Sequence, residues 1–318
     1  MKKKINGVVV TICAAILSSA AQASDLTIGV PSWPSASVTA YVMKDVLEEN
    51  LGLEISMQTG SNPIIWEAID RGTIQVHPEV WLPNQQNLYN KYVKDKGTAV
   101  KNEHGILAKQ GLCITKEMSK KSGIASIYDL TDPDKAALLD SNGDGVGEIW
   151  AGAPGAASTT VEKIRAKSYG YDQTVTLTEV DTPVNWAALD SAERQGKPYV
   201  FSCYTPHHVF SMYDIVFLDE PNHDPNQWHI IQPTDDPNWL ESSQASTGWP
   251  AAYVQPVYAK SLEGAYPQAA LILKNFRVSA DILSAWSYGV VVDKKSAQEV
   301  AKEWVKDNSD QINQWLGL

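Results

Sequence analysis

An acid and a tryptophan stand two residues apart in the segment V-H-P-E-V-W-L-P-N, residues 76–84. Alternate side chains of a strand point to opposite faces, so Glu79 and Trp81 are predicted to share one face. Pro83 cannot donate to a strand ladder and should end the strand. A carboxylate and an indole face together attract a quaternary ammonium group, which has no N–H to donate. The segment therefore predicts a cation-binding site, while a core tryptophan at a strand end is the alternative interpretation.

Other side chains follow predicted strands in the same way. Trp33 lies in the loop after the first strand, and Tyr204 and His207 come at or just after the strand predicted for 198–204. Open α/β sheets bind ligands at the carboxyl ends of their strands. We therefore expect Trp33 to lie on the same edge as Trp81, and Tyr204 and His207 to lie at another strand end.

A glycine-containing turn, Pro154 and Gly155, precedes a predicted helix. Ala157 and Ser158 would lie at the beginning of that helix. Backbone N–H groups at a helix start can hold a carboxylate or oxide oxygen. This turn is a candidate site for the oxygen end of a ligand.

A different class of function would use the histidines. An exported metal-dependent hydrolase, or a receptor for a metal, would draw its ligands from His77, His207, His208 and Glu79. The chain has no H-E-x-x-H or G-x-S-x-G motif to support catalysis. Neighbouring histidines also tend to point apart, so this interpretation is the weaker one.

The segment D-S-N-G-D-G-V-G-E, residues 140–148, has the spacing of a calcium-binding loop. The oxygen ligands at positions 1, 3, 5, 7 and 9 would come from Asp140, Asn142, Asp144, Val146 and Glu148. Gly145 supplies the sharp turn at position 6. Position 12 is Ala151 and lacks the usual glutamate, so a structural calcium ion and an ordinary turn both stay open. No other cofactor is predicted.

These residues must be positioned by the elements of an α/β protein. Hydrophobic periodicity predicts the order strand, helix, strand, helix, strand over residues 26–81, which gives a mostly parallel sheet with right-handed crossovers. An extended segment at 105–115 leads into a second region with its own strands and helices. The chain exceeds the usual size of one domain. We predict one lobe from residues 24–108 plus 251–318 and a second from 109–250.

The chain reads as an exported acidic protein. Residues 1–23 have the basic start, short apolar run and small-residue cleavage site of a signal peptide. No second apolar stretch follows, so we do not expect the chain to span a membrane. We also expect a monomer. A formal net charge of −11 disfavours nucleic acid as a partner. Cys113 and Cys203 could form a disulfide after export or remain two buried thiols.

The order of these segments resembles the substrate-binding proteins of ABC importers for glycine betaine, proline betaine, choline and trimethylamine N-oxide. The resemblance covers nearly all of the mature chain. It rests on the Trp81 segment, the D-x-N-G-D-G loop, the Pro154 and Gly155 turn, and the step Y-T-P at 204–206. It implies a type II periplasmic binding protein with a mostly parallel sheet in each lobe, flanked by helices, and a ligand cleft between the lobes. It further implies a non-catalytic periplasmic receptor that delivers its ligand to a membrane permease.

The resemblance also implies roles for site residues. Family members hold a trimethylammonium head in a box of aromatic rings from both lobes, where Trp81 and Tyr204 match ring positions. The anionic end is held by backbone amides, which Ala157 and Ser158 would offer. The position that is tryptophan in betaine-binding members is Ala156 here. The candidate replacements for the missing ring are, in order, Trp249, Trp33 and Trp150.

The preferred ligand depends on where Glu79 points. A carboxylate beside the rings favours choline or trimethylamine N-oxide, because it would repel the carboxylate of betaine. If Glu79 points away from the cleft, betaine becomes the favoured ligand.

Overall fold

The computed structural model describes residues 24–318. The predicted signal peptide, 1–23, lies outside the described residues. The strands are β1 (Leu26–Val30), β2 (Ile55–Thr59), β3 (Val76–Leu82), β4 (Ala99–Lys101), β5 (Ile106–Thr115), β6 (Gly147–Gly152), β7 (Val175–Glu179), β8 (Val200–Thr205), β9 (Ile215–Phe217), β10 (Trp228–His229), β11 (Gln244–Ala245) and β12 (Ala252–Ala259). The helices are α1 (Pro34–Leu51), α2 (Asn62–Arg71), α3 (Gln86–Tyr89), α4 (Lys116–Ser122), α5 (Pro133–Ala136), α6 (Ala157–Tyr169), α7 (Thr182–Gln195), α8 (Val209–Met212), α9 (Trp239–Ser242), α10 (Leu262–Ala265), α11 (Pro267–Asn275), α12 (Ala280–Val291), α13 (Ala297–Asp307) and α14 (Ser309–Leu316).

The first core has the strand and helix order that the sequence predicts. Strand β1 lies between β2 and β3 and pairs in parallel with both. Helix α1 begins with Pro34 and ends at Gly52, whose φ of 66° suits a residue without a β carbon. Val38, Val42 and Val46 are fully buried at a spacing of four, so one face of α1 packs into this core.

Strand β5 connects the first core to the second. Its residues 106–108 pair with β12, and its residues 109–113 pair with β8. Strand β6 then pairs in parallel with both β7 and β8. The sheets are thus parallel at their centres, and the crossing strands β5 and β12 run antiparallel to their neighbours.

The hydrophobic clusters follow the same division. The largest is built from residues between 26 and 108 and between 252 and 315, and two others from residues between 112 and 218. We call these the first core and the second core. The predicted lobe boundaries at 108/109 and 250/251 stay a prediction, and β5 changes partner at the first of them.

A disulfide and a buried ion pair stabilise the second core. Cys113 and Cys203 form a disulfide between β5 and β8, with a Cα to Cα distance of 5.8 Å, which decides between the two alternatives left open by the sequence. Arg165, on α6, is fully buried and donates to Glu220 at 2.6 Å and to the Thr247 carbonyl at 2.8 Å. The segment between β9 and β12 is therefore anchored to α6.

The chain closes with helices that cover the first core. Residues 297–316 form two helices, because Asn308 leaves helical geometry and donates its side-chain amide to the Trp304 carbonyl at 2.7 Å. Trp304 stacks on Trp315 with ring centroids 5.6 Å apart. Within residues 24–318, none of the helices combines the length and apolarity needed to cross a membrane.

Candidate functional site

A cleft of about 820 Å³ lies between the two cores. Aromatic side chains line it from both sides: Trp33 and Trp81 from the first core, and Trp150, Trp186, Tyr204 and Tyr213 from the second. The strand ends and helix starts predicted to carry ligand contacts therefore do open onto one space. The residues Ala156, Ala157 and Ser158 also line it.

Trp81 meets Tyr204 across the cleft. Their ring centroids are 4.9 Å apart and the planes are tilted by 71°, an edge-to-face arrangement. Trp81 is placed by the end of β3, where Pro83 follows. Burial raises the pKa of the Tyr204 phenol, which is therefore neutral near pH 7. The two rings offer a desolvated wall that carries no charge of its own.

Glu79 shares the sheet face of Trp81 but does not line the cleft. It is only 2% exposed. Its carboxylate accepts hydrogen bonds from Trp33 Nε1 at 2.6 Å, Ser35 Oγ at 3.0 Å and Thr39 Oγ1 at 2.8 Å. Burial raises the pKa of Glu79, and these three donors oppose the rise by stabilising the charged form. Glu79, predicted as a ligand contact, is therefore covered by α1 and its preceding loop.

The second core supplies two further tryptophans. Trp150, at the end of β6, donates its Nε1 to the Val180 carbonyl at 2.9 Å, which fixes the ring. Trp186, in the first turns of α7, lies 5.8 Å from Trp150. Trp186 is not among the site residues predicted from the sequence. Pro183 marks a helix start shortly after the alternating segment V-T-L-T-E of β7, and that signal could have placed Trp186 at the same edge as the other rings.

Trp249, the first candidate for the ring missing at Ala156, does not line the cleft. It lines a second cavity of about 330 Å³ together with Lys109 and Glu220. There it packs on Trp228 at 5.2 Å and lies 5.6 Å from the Arg165 guanidinium. Buried Arg165 holds the chain at Thr247, two residues before Trp249. Trp33, Trp150 and Trp186 are the tryptophans of the cleft wall besides Trp81.

The beginning of α6 has no side-chain cap. Within the described chain, the N–H groups of Ala157 and Ser158 have no hydrogen-bond partner, while those of Thr159 and Thr160 bond to the Ala156 carbonyl at 3.1 and 3.3 Å. Free amides at a helix start favour an anionic oxygen. The predicted amide positions are therefore available at the cleft.

The histidines do not form a metal site. His77 bonds to Asn62 through Nε2 at 3.1 Å, and burial lowers its pKa to about 3. His207 lies behind the wall rather than in it, 4.8 Å from Tyr204, and its Nδ1 accepts the Val209 N–H at 3.2 Å. Among residues 24–318, the one group of three or more potential ligand side chains close enough for a metal lies elsewhere, in the 140–148 loop.

That loop brings together three of its predicted calcium ligands. The carboxylates of Asp140, Asp144 and Glu148 lie within 4.8 Å of one another. Internal donors already use them: the Asn142 amide donates to Glu148 at 2.6 Å and to Asp144 at 3.1 Å. Backbone N–H groups lower the pKa of Asp140. Ala151, at position 12, is buried in β6 and adds no oxygen from its side chain. The donor set fits a calcium ion in part, so calcium stays a prediction.

A family model described as the substrate binding domain of an ABC-type glycine betaine transport system matches residues 24–307. The chain belongs to this family. Among members of the glycine betaine-binding family, the glycine betaine/proline betaine-binding periplasmic protein of Salmonella typhimurium is 24% identical over 250 residues, covering 74% of this chain and 72% of the relative. The trimethylamine N-oxide-binding protein of Pelagibacter ubique is 21% identical over 310 residues, covering 93% and 91%.

Solved structures of the family have the same fold. Lactococcal OpuAC in its closed conformation with glycine betaine matches with a TM-score of 0.71 at 21% identity, covering 92% of this chain and 98% of that one. A choline-binding protein of an ABC transporter, in complex with choline, matches with a TM-score of 0.71 at 19% identity, covering 92% and 91%. The fold is that of a type II periplasmic binding protein, as predicted. The chain is a substrate-binding receptor of betaine- and choline-type ABC transporters, and the hydrolase interpretation is wrong.

Proposed function

We propose that this receptor captures a small quaternary ammonium or N-oxide osmolyte in an aromatic box between its two cores and presents it to a membrane permease. The observation that carries the proposal is the set of neutral rings on both walls of one cleft, centred on Trp81 and Tyr204. A methylated ammonium head over an indole face gains ~0.5–2 kcal/mol per contact, most when it is desolvated. Several rings acting together can therefore hold a head group that has no hydrogen to donate.

Glycine betaine is the first candidate ligand. The carboxylate that would have repelled it, Glu79, is covered and does not line the cleft. The unpaired N–H groups of Ala157 and Ser158 offer a place for the carboxylate of betaine. Choline lacks that group, and trimethylamine N-oxide offers a single oxygen instead. The proposal therefore ranks betaine above both.

Titration calorimetry of the purified receptor tests this proposal. Betaine, choline, carnitine, trimethylamine N-oxide and dimethylsulfoniopropionate are compared at one protein concentration. We expect one molecule of betaine to bind per chain, more tightly than the others. Absence of binding by all five compounds, in a receptor that unfolds cooperatively, would contradict the proposed ligand class.

We further propose that the receptor acts in the periplasm as a monomer. The relatives of Salmonella typhimurium and Escherichia coli are named as periplasmic proteins, and residues 1–23 have a signal-peptide pattern. Osmotic shock of cells that express the full chain should release a protein with the mass of residues 24–318, whose first residue is Ser24. Retention of the uncleaved chain in spheroplasts would contradict this.

A further inference from the structure

One indole, that of Trp33, both lines the cleft and contacts the carboxylate of Glu79. Trp33 lines the cleft, and its Nε1–H donates to Glu79 Oε2 at 2.6 Å. The Glu79 side chain is buried behind the ring and does not line the cleft. Trp33 therefore connects a buried carboxylate to the occupant of the cleft.

Both oxygens of Glu79 are held by neutral donors. Oε2 accepts from Trp33 and Ser35, and Oε1 accepts from Thr39. Within residues 24–318, no lysine, arginine or histidine forms an ion pair with this carboxylate. A buried carboxylate without a fixed counter-ion is costly, and a nearby cation would offset part of that cost. The three donors stabilise the charged form of Glu79, and no ion pair within residues 24–318 neutralises it.

We propose that Glu79 is a specificity-determining residue that selects a cationic head group through the Trp33 ring. Donation of the indole N–H to an anion increases electron density on the ring, which strengthens attraction of a cation to its face. The hydrogen bond also fixes the orientation of the ring. The inference rests on the proposed function of the cleft.

A matched pair of ligands separates charge from shape. In 3,3-dimethylbutanoate a quaternary carbon replaces the nitrogen of glycine betaine, so that the two share their shape and carboxylate and differ in the positive charge. Glu79→Gln keeps the size of the side chain and removes its charge. We expect this variant to bind betaine at least about tenfold more weakly, the effect of losing a charge-assisted interaction, and to bind the carbon analogue as well as or better than the parent does.

Two further variants complete the test. Glu79→Asp keeps the charge, and it should keep the preference for betaine over the analogue within about threefold of the parent. Trp33→Phe retains a ring but has no N–H. In this background, Glu79→Gln should reduce the affinity for betaine less than it does in the parent, because the two residues act as a coupled pair. Thermal unfolding of every variant shows whether it is folded.

The outcomes are distinct. Equal weakening of betaine and the analogue in a folded Glu79→Gln variant would mean that Glu79 only supports the fold, and the inference would be overturned. If that variant does not fold, the ligand pair is titrated against Trp33→Phe, where an unchanged preference for betaine overturns it instead. Failure of the parent to bind any methylated compound would contradict the proposed function, and the parent titration alone shows that.

Discussion

The imidazole Nδ1 of His208 lies 2.8 Å from the hydroxyl oxygen of Ser287, and this hydrogen bond joins the second core to the first. His208 follows β8 and lines the cleft, whereas Ser287 is buried on α12 beside Trp286 of the first core. The bond therefore links the end of β8 to α12. It therefore favours the arrangement in which rings from both cores face one another.

Ser287→Ala should weaken ligand binding without a contact to the ligand being lost. Removing a buried hydrogen bond costs ~1 kcal/mol or more, so the arrangement in which the rings of both cores face one another should become less populated. The apparent affinity for betaine should then fall about fivefold. Ser284→Ala, one turn earlier on α12, is the matched control. Calorimetry on both variants checks the prediction, which fails if the two bind alike.

Trp186→Ala should weaken betaine binding by about tenfold or more, because a ring of the cleft wall is lost from a desolvated site. Trp249→Ala should leave the affinity within about twofold of the parent, since Trp249 lines the other cavity. The two titrations are compared directly. The opposite ranking would show that Trp249, and not Trp186, replaces the ring absent at Ala156.

Gly152→Ala should destabilise the protein and disturb the start of α6. Gly152 has a φ of 141°, and a β carbon there would lie 2.2 Å from Thr159 Oγ1. Overpacking of this kind costs ~1–3 kcal/mol, and the shift of α6 should also weaken betaine binding through Ala157 and Ser158. Gly264→Ala, where no atom lies within 4 Å of the added carbon, is the control. A melting temperature equal to that of the control would contradict the prediction.

His77 should make the protein labile to acid. Burial lowers its pKa from 6.5 to about 3, so between these values the unfolded chain binds a proton that the folded chain does not. The stability that neutral His77 contributes is fully present above its pKa in the unfolded chain, and it declines as the pH falls toward 3. At about pH 4.5 the loss is ~2–3 kcal/mol.

Urea unfolding at pH 7 and at about pH 4.5 measures this loss. His77→Gln should reduce the difference between the two free energies of unfolding. Burial also lowers the pKa values of His207 and His208, so these two residues should still contribute to that difference in the variant. An undiminished difference in the variant would assign the acid lability to other groups.

The 140–148 loop remains a predicted calcium site. If it holds the ion, a chelator should lower the melting temperature and added calcium should restore it, because a ligand of the folded state stabilises by mass action. The response should vanish in Asp144→Ala. A melting curve that a chelator leaves unchanged would mean that the three carboxylates form an ordinary turn.

The parts of this fold that local rules govern could be predicted from the sequence. Hydrophobic periodicity and glycine or proline boundaries predict the order from β1 to β3, and Pro83 after β3 places Trp81 at a strand end. The side-chain alternation also puts Glu79 on the face of Trp81. It cannot show that α1 and its preceding loop cover that carboxylate, because Trp33, Ser35 and Thr39 reach it only after the helix has packed on the sheet.

The tryptophans of the second core show the same limit. Nothing near Trp249 in the sequence reveals that its ring lies outside the cleft. Buried Arg165 reaches across 82 positions to hold the Thr247 carbonyl, two residues before Trp249. Local patterns predict elements and their ends, and long-range polar contacts decide which side chains meet.

The register of the crossing strands gives the chain a simple topology. Ala108 of β5 pairs directly with Ala252 of β12, so the chain leaves the first core and returns to it at one point. In topological terms the second core is an insertion between the two sides of a hairpin. Because antiparallel partners are close enough for a two-residue turn to connect, a turn in place of residues 109–251 would yield a single-core protein without a cleft.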